Sequence, residues 1–263
     1  GMLGMWLSKQ MKVPYYVTEH TNPFSKISSN PLFYMMSKVV IEKSAGLLTV
    51  SNDLKKQIED SGIKAPYQFT TYNPVSTDLF LPASRKRESK NFVFAGRLED
   101  YKGGLRVLKA FESILWKYPD WSLTIIGDGP ERVEIENYII KEGLEDHVVL
   151  TGKLRKRDMV KVFQNSTIFV YPSSHETFGL VIAEAMACGL PVIAGNLTAP
   201  PEFVDKEQGL LVDPNDVEAI ASAMKKLISN RSVYNAKVIR EKVVERFSFE
   251  VFGQILMDQY NRR

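Results

Sequence analysis

The sequence predicts an α/β protein built on parallel β-sheets, and three observations carry that expectation. A β-prone run, Thr167-Ile168-Phe169-Val170-Tyr171, leads through a polar loop into an alanine-rich helical stretch ending at Cys188. A second apolar run, Val192-Ile193-Ala194, follows. Strand, crossover helix and strand in succession form the repeat of a parallel sheet. A unit of the same kind starts at Asn91-Phe92-Val93-Phe94-Ala95-Gly96 and continues into a helix with the stripe Leu105, Leu108, Phe111 and Leu115. Two more apolar runs, 123–126 and 148–150, end in glycine turns at Gly127-Asp128-Gly129 and Thr151-Gly152.

In chain order, residues 3–9 read as a helix and 13–18 as a strand that ends at Glu19-His20. A helix at 31–43, a strand at 46–51, a helix at 53–61 and a strand at 67–72 follow. These elements make a first unit, 1–80, whose connection to the next is marked by Asn73-Pro74-Val75 and Phe80-Leu81-Pro82. The second unit, 81–245, holds the strands named above and closes with Pro201-Glu202 and the strand Gly209-Leu210-Leu211-Val212. Within it, Thr177 is the expected N-cap of the alanine-rich helix. Gly189 is its C′ stop and Pro191 lies just beyond. A last helix occupies 249–260 within the segment 246–263.

The chemistry gathers on two strand-to-helix loops, at the carboxyl edge where open α/β sheets bind ligands. The backbone N–H groups of Thr177, Phe178, Gly179 and Leu180 form a helix start suited to phosphate. Glu176 precedes them. Glu184 lies inside an apolar helix, where a carboxylate is costly to bury without a partner. Arg97 and Lys102 occupy the loop after Gly96, placed to neutralise a diphosphate, arginine as a planar fork and lysine as a point charge. Carboxylates beside an anion site fit a ligand with both a diphosphate and neutral hydroxyls, which describes a sugar nucleotide. The plainer alternative is a solvated loop Glu176 and a surface Glu184. Gly127-Asp128-Gly129 does not form a G-x-G-x-x-G dinucleotide fingerprint, which disfavours a dehydrogenase.

Glu176 and Glu184, with Phe178-Gly179-Leu180 and the run on to Ala194, closely resemble the E-x7-E motif of retaining glycosyltransferases of family GT4. Gly96-Arg97-Leu98 with Lys102-Gly103 matches that family's G-R-L…K-G motif. The resemblance implies a GT-B fold. Residues 81–245 would be a complete Rossmann-like donor domain and 1–80 part of an amino-terminal Rossmann-like domain whose opening strands are not in this sequence. The last helix would cross back to the amino-terminal part. By the same resemblance Glu176 contacts donor-sugar hydroxyls, Glu184 holds the ribose, Arg97 and Lys102 bind the diphosphate beside Gly96, and the nucleobase lies near Lys153 and Leu154. His20, in its V-T-E-H-T setting, corresponds to a histidine that contacts the transferring sugar. The implied reaction moves a hexosyl group from a UDP- or GDP-sugar to a glycan or lipid-linked acceptor, with retention and without a metal. Two alternatives stay open: a donor-binding module without transferase activity, and another GT-B enzyme such as a sugar-nucleotide epimerase.

Composition narrows the setting. With 34 basic and 31 acidic residues the formal charge is +3, too small to argue for nucleic acid. The clusters Arg85-Lys86-Arg87 and Arg155-Lys156-Arg157 read as solvated loops or helix starts, with peripheral contact to anionic lipid as a secondary reading. One cysteine and three histidines are too few for a zinc cluster, and Cys188 suits a packing role in a reducing compartment. No apolar run reaches the roughly 18 residues of a membrane span, so a cytoplasmic protein is expected. Met2, Leu3, Met5 and Trp6, with an unpaired strand edge, suggest self-association through the first unit.

Overall fold

The computed structural model describes residues 1–84 and 89–261, so the Arg85-Lys86-Arg87 cluster lies outside the described residues. Three short strands, β1 (Tyr16–Glu19), β2 (Gly46–Thr49) and β3 (Gln68–Thr70), pair in parallel in the order β1-β2-β3. Helix α1 (Met2–Met11) precedes them, and α2 (Ser25–Ser28), α3 (Pro31–Glu42) and α4 (Asn52–Asp60) lie between them. β2 is buried along its whole length, as expected of a central strand covered on both faces. Asn30 caps α3 by accepting from the amides of Leu32 and Phe33, with Pro31 at the first helical position. Ser51 caps α4 through the amide of Leu54. The strand expected at 13–18 is shorter because Pro14 has no N–H for the ladder.

The larger sheet holds β4 (Asn91–Ala95), β5 (Ser122–Ile126), β6 (Val148–Gly152), β7 (Ile168–Tyr171), β8 (Val192–Gly195) and β9 (Gly209–Val212). All are parallel, in the order β6-β5-β4-β7-β8-β9. Its crossovers are α5 (Gly104–Leu115), α6 (Arg132–Lys141), α7 (Lys156–Gln164) and α8 (Leu180–Ala187), followed by α9 (Val217–Ser229), α10 (Ala236–Phe247) and α11 (Phe249–Tyr260). The order reverses between β4 and β7, which places a crevice at their carboxyl ends. Leu105, Leu108 and Phe111 lie on the buried face of α5 as the spacing predicts, and Leu115 is half-buried at its end. The sequence expectations omitted α6, α7, α9 and α10. α6 buries only Ile135 and Ile139, so its apolar period is faint. α9 carries a legible signal in Asp216, which caps the amides of Glu218 and Ala219.

Aromatic packing joins the two sheets, and one guanidinium fixes the segment that connects them. Tyr72, Phe178, Phe203 and Phe247 form a cluster with ring centroids 5.1–5.9 Å apart. Arg240 on α10 donates to the carbonyls of Thr77, Phe80 and Ala187 at 2.7–2.9 Å, tying the connecting segment to α8. α11 returns to the small sheet, where Tyr260 packs on Tyr16 and the Tyr67 hydroxyl donates to Gln259 Oε1 at 2.8 Å. α1 buries none of its residues, and Leu3 and Trp6 are exposed. Among the described residues no helix is long and apolar enough to cross a membrane.

Gly127, at the end of β5, has φ +144°, and a Cβ there would lie 1.8 Å from the carbonyl oxygen of Gly96. No L side chain fits so close to backbone. Gly127→Ala is expected to lower unfolding free energy by about 2–3 kcal/mol. Urea denaturation followed by circular dichroism checks this, and an unchanged midpoint would mean that the two loops separate freely.

Candidate active site

β4 and β7 are parallel neighbours, with Phe92 opposite Ile168 and Val93 opposite Phe169. The segments that follow them therefore leave the sheet side by side, and the amide of Ser174 donates to the carbonyl of Tyr101 at 2.8 Å. On the other flank, Leu98 donates to the Asp128 carbonyl and Glu131 to the Leu98 carbonyl, each at 3.0 Å. These loops surround a cavity of about 890 Å³. Gly96, Arg97 and Lys102 line it from the β4 side. Lys153 and Leu154 line it after β6, and Tyr171 at the end of β7, Glu176 on the loop and Leu180 at the start of α8 complete it. The volume suits a ligand the size of a sugar nucleotide.

Lys102 ends a short 3₁₀ turn, Asp100–Lys102, and points its ammonium at Glu176. The Nζ–Oε1 distance is 2.5 Å, and the two side chains keep only 16% and 10% of their surface. Lys102 also lies 4.9 Å from the Tyr101 ring and 5.7 Å from the Tyr171 ring, within cation–π range. Burial, with the nearby Glu176 charge adding to it, raises the Tyr171 phenol well above its ordinary 10. Burial and a hydrogen bond to Glu99 push Tyr101 up to about 12. Both rings are therefore neutral at physiological pH. Glu176 is held from either side through its backbone, its amide donating to Thr198 Oγ1 at 3.0 Å and its carbonyl accepting from Asn22 Nδ2 at 2.9 Å. Arg97 is exposed and paired with Glu99 Oε1 at 2.5 Å.

The solvated reading of the two glutamates fails, since Glu176 is 8% and Glu184 4% exposed. Glu184 accepts from Lys156 Nζ at 2.8 Å. Lys156 belongs to the basic run that reads from sequence as a solvated loop or a helix start, and a helix start is what it is. It stands at the start of α7 and is the partner that makes a carboxylate inside α8 tolerable. Glu184 does not itself line the cavity, whereas Leu180 and Val181, one turn earlier, do.

The helix start differs from the expected one. α8 begins at Leu180, and its N-cap is Gly179 with φ +92°, not Thr177. The left-handed backbone at Gly179 lets the chain turn directly into the helix, so the amides at its start are those of Leu180 and Val181. Phe178 is 1% exposed and belongs to the aromatic cluster. Thr177 lines a second cavity of about 330 Å³, together with Asn22, Lys26, Tyr101 and His175, and Lys102 and Glu176 border both cavities. His20 follows β1 and is exposed, and it lines neither cavity. The loop after it supplies Asn22, Pro23 and Lys26 instead. Lys156, Asn22 and Thr198 escaped the sequence reading. Lys156 stood in a charged run and the other two carry no motif. Among the described residues no group of three His, Cys, Asp or Glu is placed to hold a metal ion.

The family model described as glycosyl transferases group 1 matches residues 76–243. An uncharacterized glycosyltransferase of Haemophilus influenzae is 28% identical over 228 residues, which cover 85% of this chain and 63% of that protein. The capsular polysaccharide biosynthesis glycosyltransferase CapM of Staphylococcus aureus is 29% identical over 256 residues, 88% of this chain and 65% of CapM. The chain thus spans less than two thirds of these relatives. HepE of Anabaena, solved in complex with UDP, superposes with a TM-score of 0.85 at 19% identity, covering 97% of this chain and 74% of HepE. That likeness is one of fold, the GT-B type. These matches do not favour an epimerase or a module without transfer.

Burial raises the Glu184 pKa above its ordinary 4.5, while Lys156 opposes the shift. The native state then holds this proton more tightly than the unfolded chain, so stability falls as pH rises from about 4.5 through the raised value. Lys156 favours the ionised form. Lys156→Met is expected to lower the melting temperature more at about pH 8, where Glu184 is ionised, than at about pH 4, where it is protonated. Differential scanning calorimetry at both values checks it; equal losses would assign Lys156 a packing role only.

Proposed function

The chain belongs to the glycosyl transferases group 1 family, and from that premise we propose that it moves a hexosyl group from a nucleoside diphosphate sugar to a glycan or lipid-linked acceptor with retention of configuration. The observation that carries this reading is the Lys102–Glu176 pair on the wall shared by the two cavities. It sets a cation for phosphate beside a carboxylate for sugar hydroxyls, at the carboxyl edge where such ligands sit.

The diphosphate lies in the larger cavity against Lys102, Arg97, the Gly96 backbone and the amides of Leu180 and Val181. Lys153 and Leu154 take the nucleobase side. Glu184 lies one turn beyond the cavity-lining Leu180 and Val181, and it accepts from the ribose hydroxyls by releasing Lys156. Glu176 orients the sugar. The acceptor hydroxyl oxygen bonds to the anomeric carbon on the face that the diphosphate leaves, as the bond from that carbon to the phosphate oxygen breaks. The acceptor proton passes to the departing diphosphate, giving the glycoside and the nucleoside diphosphate. Arg97, Lys102 and the α8 amides stabilise the leaving charge, and no metal is invoked. Donors fixed in this way are typically worth about 3 kcal/mol each in the transition state.

Calorimetric titration separates the roles. Lys102→Ala and Arg97→Ala are each expected to weaken UDP or GDP about 10-fold or more while changing the bare nucleoside by about twofold or less. Chelator should leave the affinities unchanged. Glu184→Gln is expected to weaken the nucleoside itself. Equal losses for nucleoside and diphosphate in the lysine and arginine variants would overturn the assignment.

A further inference from the structure

The smaller cavity has an electrostatic character that the reading above leaves unused. Its wall carries Lys26, Lys102 and Glu176 as the charged groups, with His175, Tyr101 and Thr177 as polar neighbours. Lys102 and Glu176 cancel one another at 2.5 Å. Lys26 is exposed, and among the described residues no ion pair involves it. The uncompensated charge of the wall is therefore a single positive one, contributed by the small sheet's side of the crevice.

The frame around that charge is built rather than loose. Asn22 donates to the Glu176 carbonyl at 2.9 Å, and its own Oδ1 accepts from Gln57 Nε2 at 3.4 Å. Gln57 Oε1 in turn accepts from the amide of Phe24 at 2.8 Å, and Phe24 is 1% exposed in the core. The turn that carries Lys26 is thus fixed to α4 on one side and to the Glu176 loop on the other. The amide of Asn22 is engaged in that frame, which leaves Lys26 as the charged group of this turn facing the cavity.

Resting on the reading that the larger cavity takes a nucleoside diphosphate, we propose that the smaller cavity is an oxyanion-selecting subsite and that Lys26 is its specificity-determining residue. The substrate portion bound there carries a carboxylate or a phosphate. Two sources supply that chemistry: an acidic donor sugar reaching past Glu176, or a phosphorylated acceptor entering from the small sheet's side. A neutral sugar gains nothing from Lys26. An oxyanion gains a charge-assisted hydrogen bond in a half-enclosed site, an interaction of about 10-fold or more in affinity.

Two calorimetric arms test this on the full chain. The first compares UDP-glucuronate with UDP-glucose. The second compares glucose 1-phosphate with glucose, on protein saturated with UDP. The charged member is expected to bind about 10-fold more tightly in one arm, which names the source, and Lys26→Gln is expected to abolish the preference while leaving UDP affinity within about twofold. Lys26 is exposed and outside the core, so the variant folds; a thermal melt verifies it. No preference in either arm with UDP still bound, or a preference that survives Lys26→Gln, overturns the subsite. Failure of UDP to bind the unaltered chain overturns the donor reading and the subsite with it.

Discussion

Two charges of opposite sign, Lys102 and Glu176, face each other in a wall from which most water is excluded. Each is costly to bury alone, and the cost is offset only when both are present in good geometry. That requirement fixes much around them. The loops after β4 and β7 must run together, which the backbone bond from Ser174 to Tyr101 secures. The rings of Tyr101 and Tyr171 flank the ammonium as neutral aromatics, so no third charge disturbs the balance. The backbone of Glu176 is anchored to Thr198 on one side and to Asn22 on the other, so the pair also connects the two sheets.

The joint between the sheets uses a different physical device. Glu202, on the loop after β8, accepts from the amides of Asn52 and Asp53, both at 2.9 Å, at the start of α4 in the small sheet's unit. A carboxylate there satisfies donors that the helix cannot satisfy itself and meets the positive end of its dipole. The aromatic cluster around Phe178 supplies the apolar part of the same joint, and Arg240 binds three carbonyls of segments that would otherwise end without partners. Polar pairing gives the joint direction. Apolar packing gives it most of its area removed from water.

Two of the three cations that line the larger cavity are paired, Arg97 with Glu99 and Lys102 with Glu176, and Lys156 pairs with Glu184 outside its lining. An incoming anion therefore competes with resident carboxylates instead of entering an open positive well. This moderates affinity and favours a ligand that offers hydroxyls to the carboxylates as well as oxygens to the cations. A simple phosphate satisfies only half of such a site.

Legible in the sequence alone are the α/β class, the parallel strands implied by successive strand–loop–helix units, and the two loops that carry Arg97, Lys102 and Glu176. Those features are local: apolar runs, glycine turns and short spacings state them within about 20 residues of chain. Tertiary structure decided the rest. The partner of Glu184 is Lys156, 28 positions away, and nothing in a run of three basic residues tells which of them reaches a buried carboxylate. The helix start moved from Thr177 to Gly179 because Phe178 is drawn into the aromatic core by residues from three other segments. The resemblance gives His20 the contact with the transferring sugar, yet Asn22 and Lys26 line the crevice, because the turn is set by Gln57 and Glu176 from outside it. Local propensity fixes which elements form; long-range pairing, whose partners are not adjacent in sequence, fixes which side chains meet.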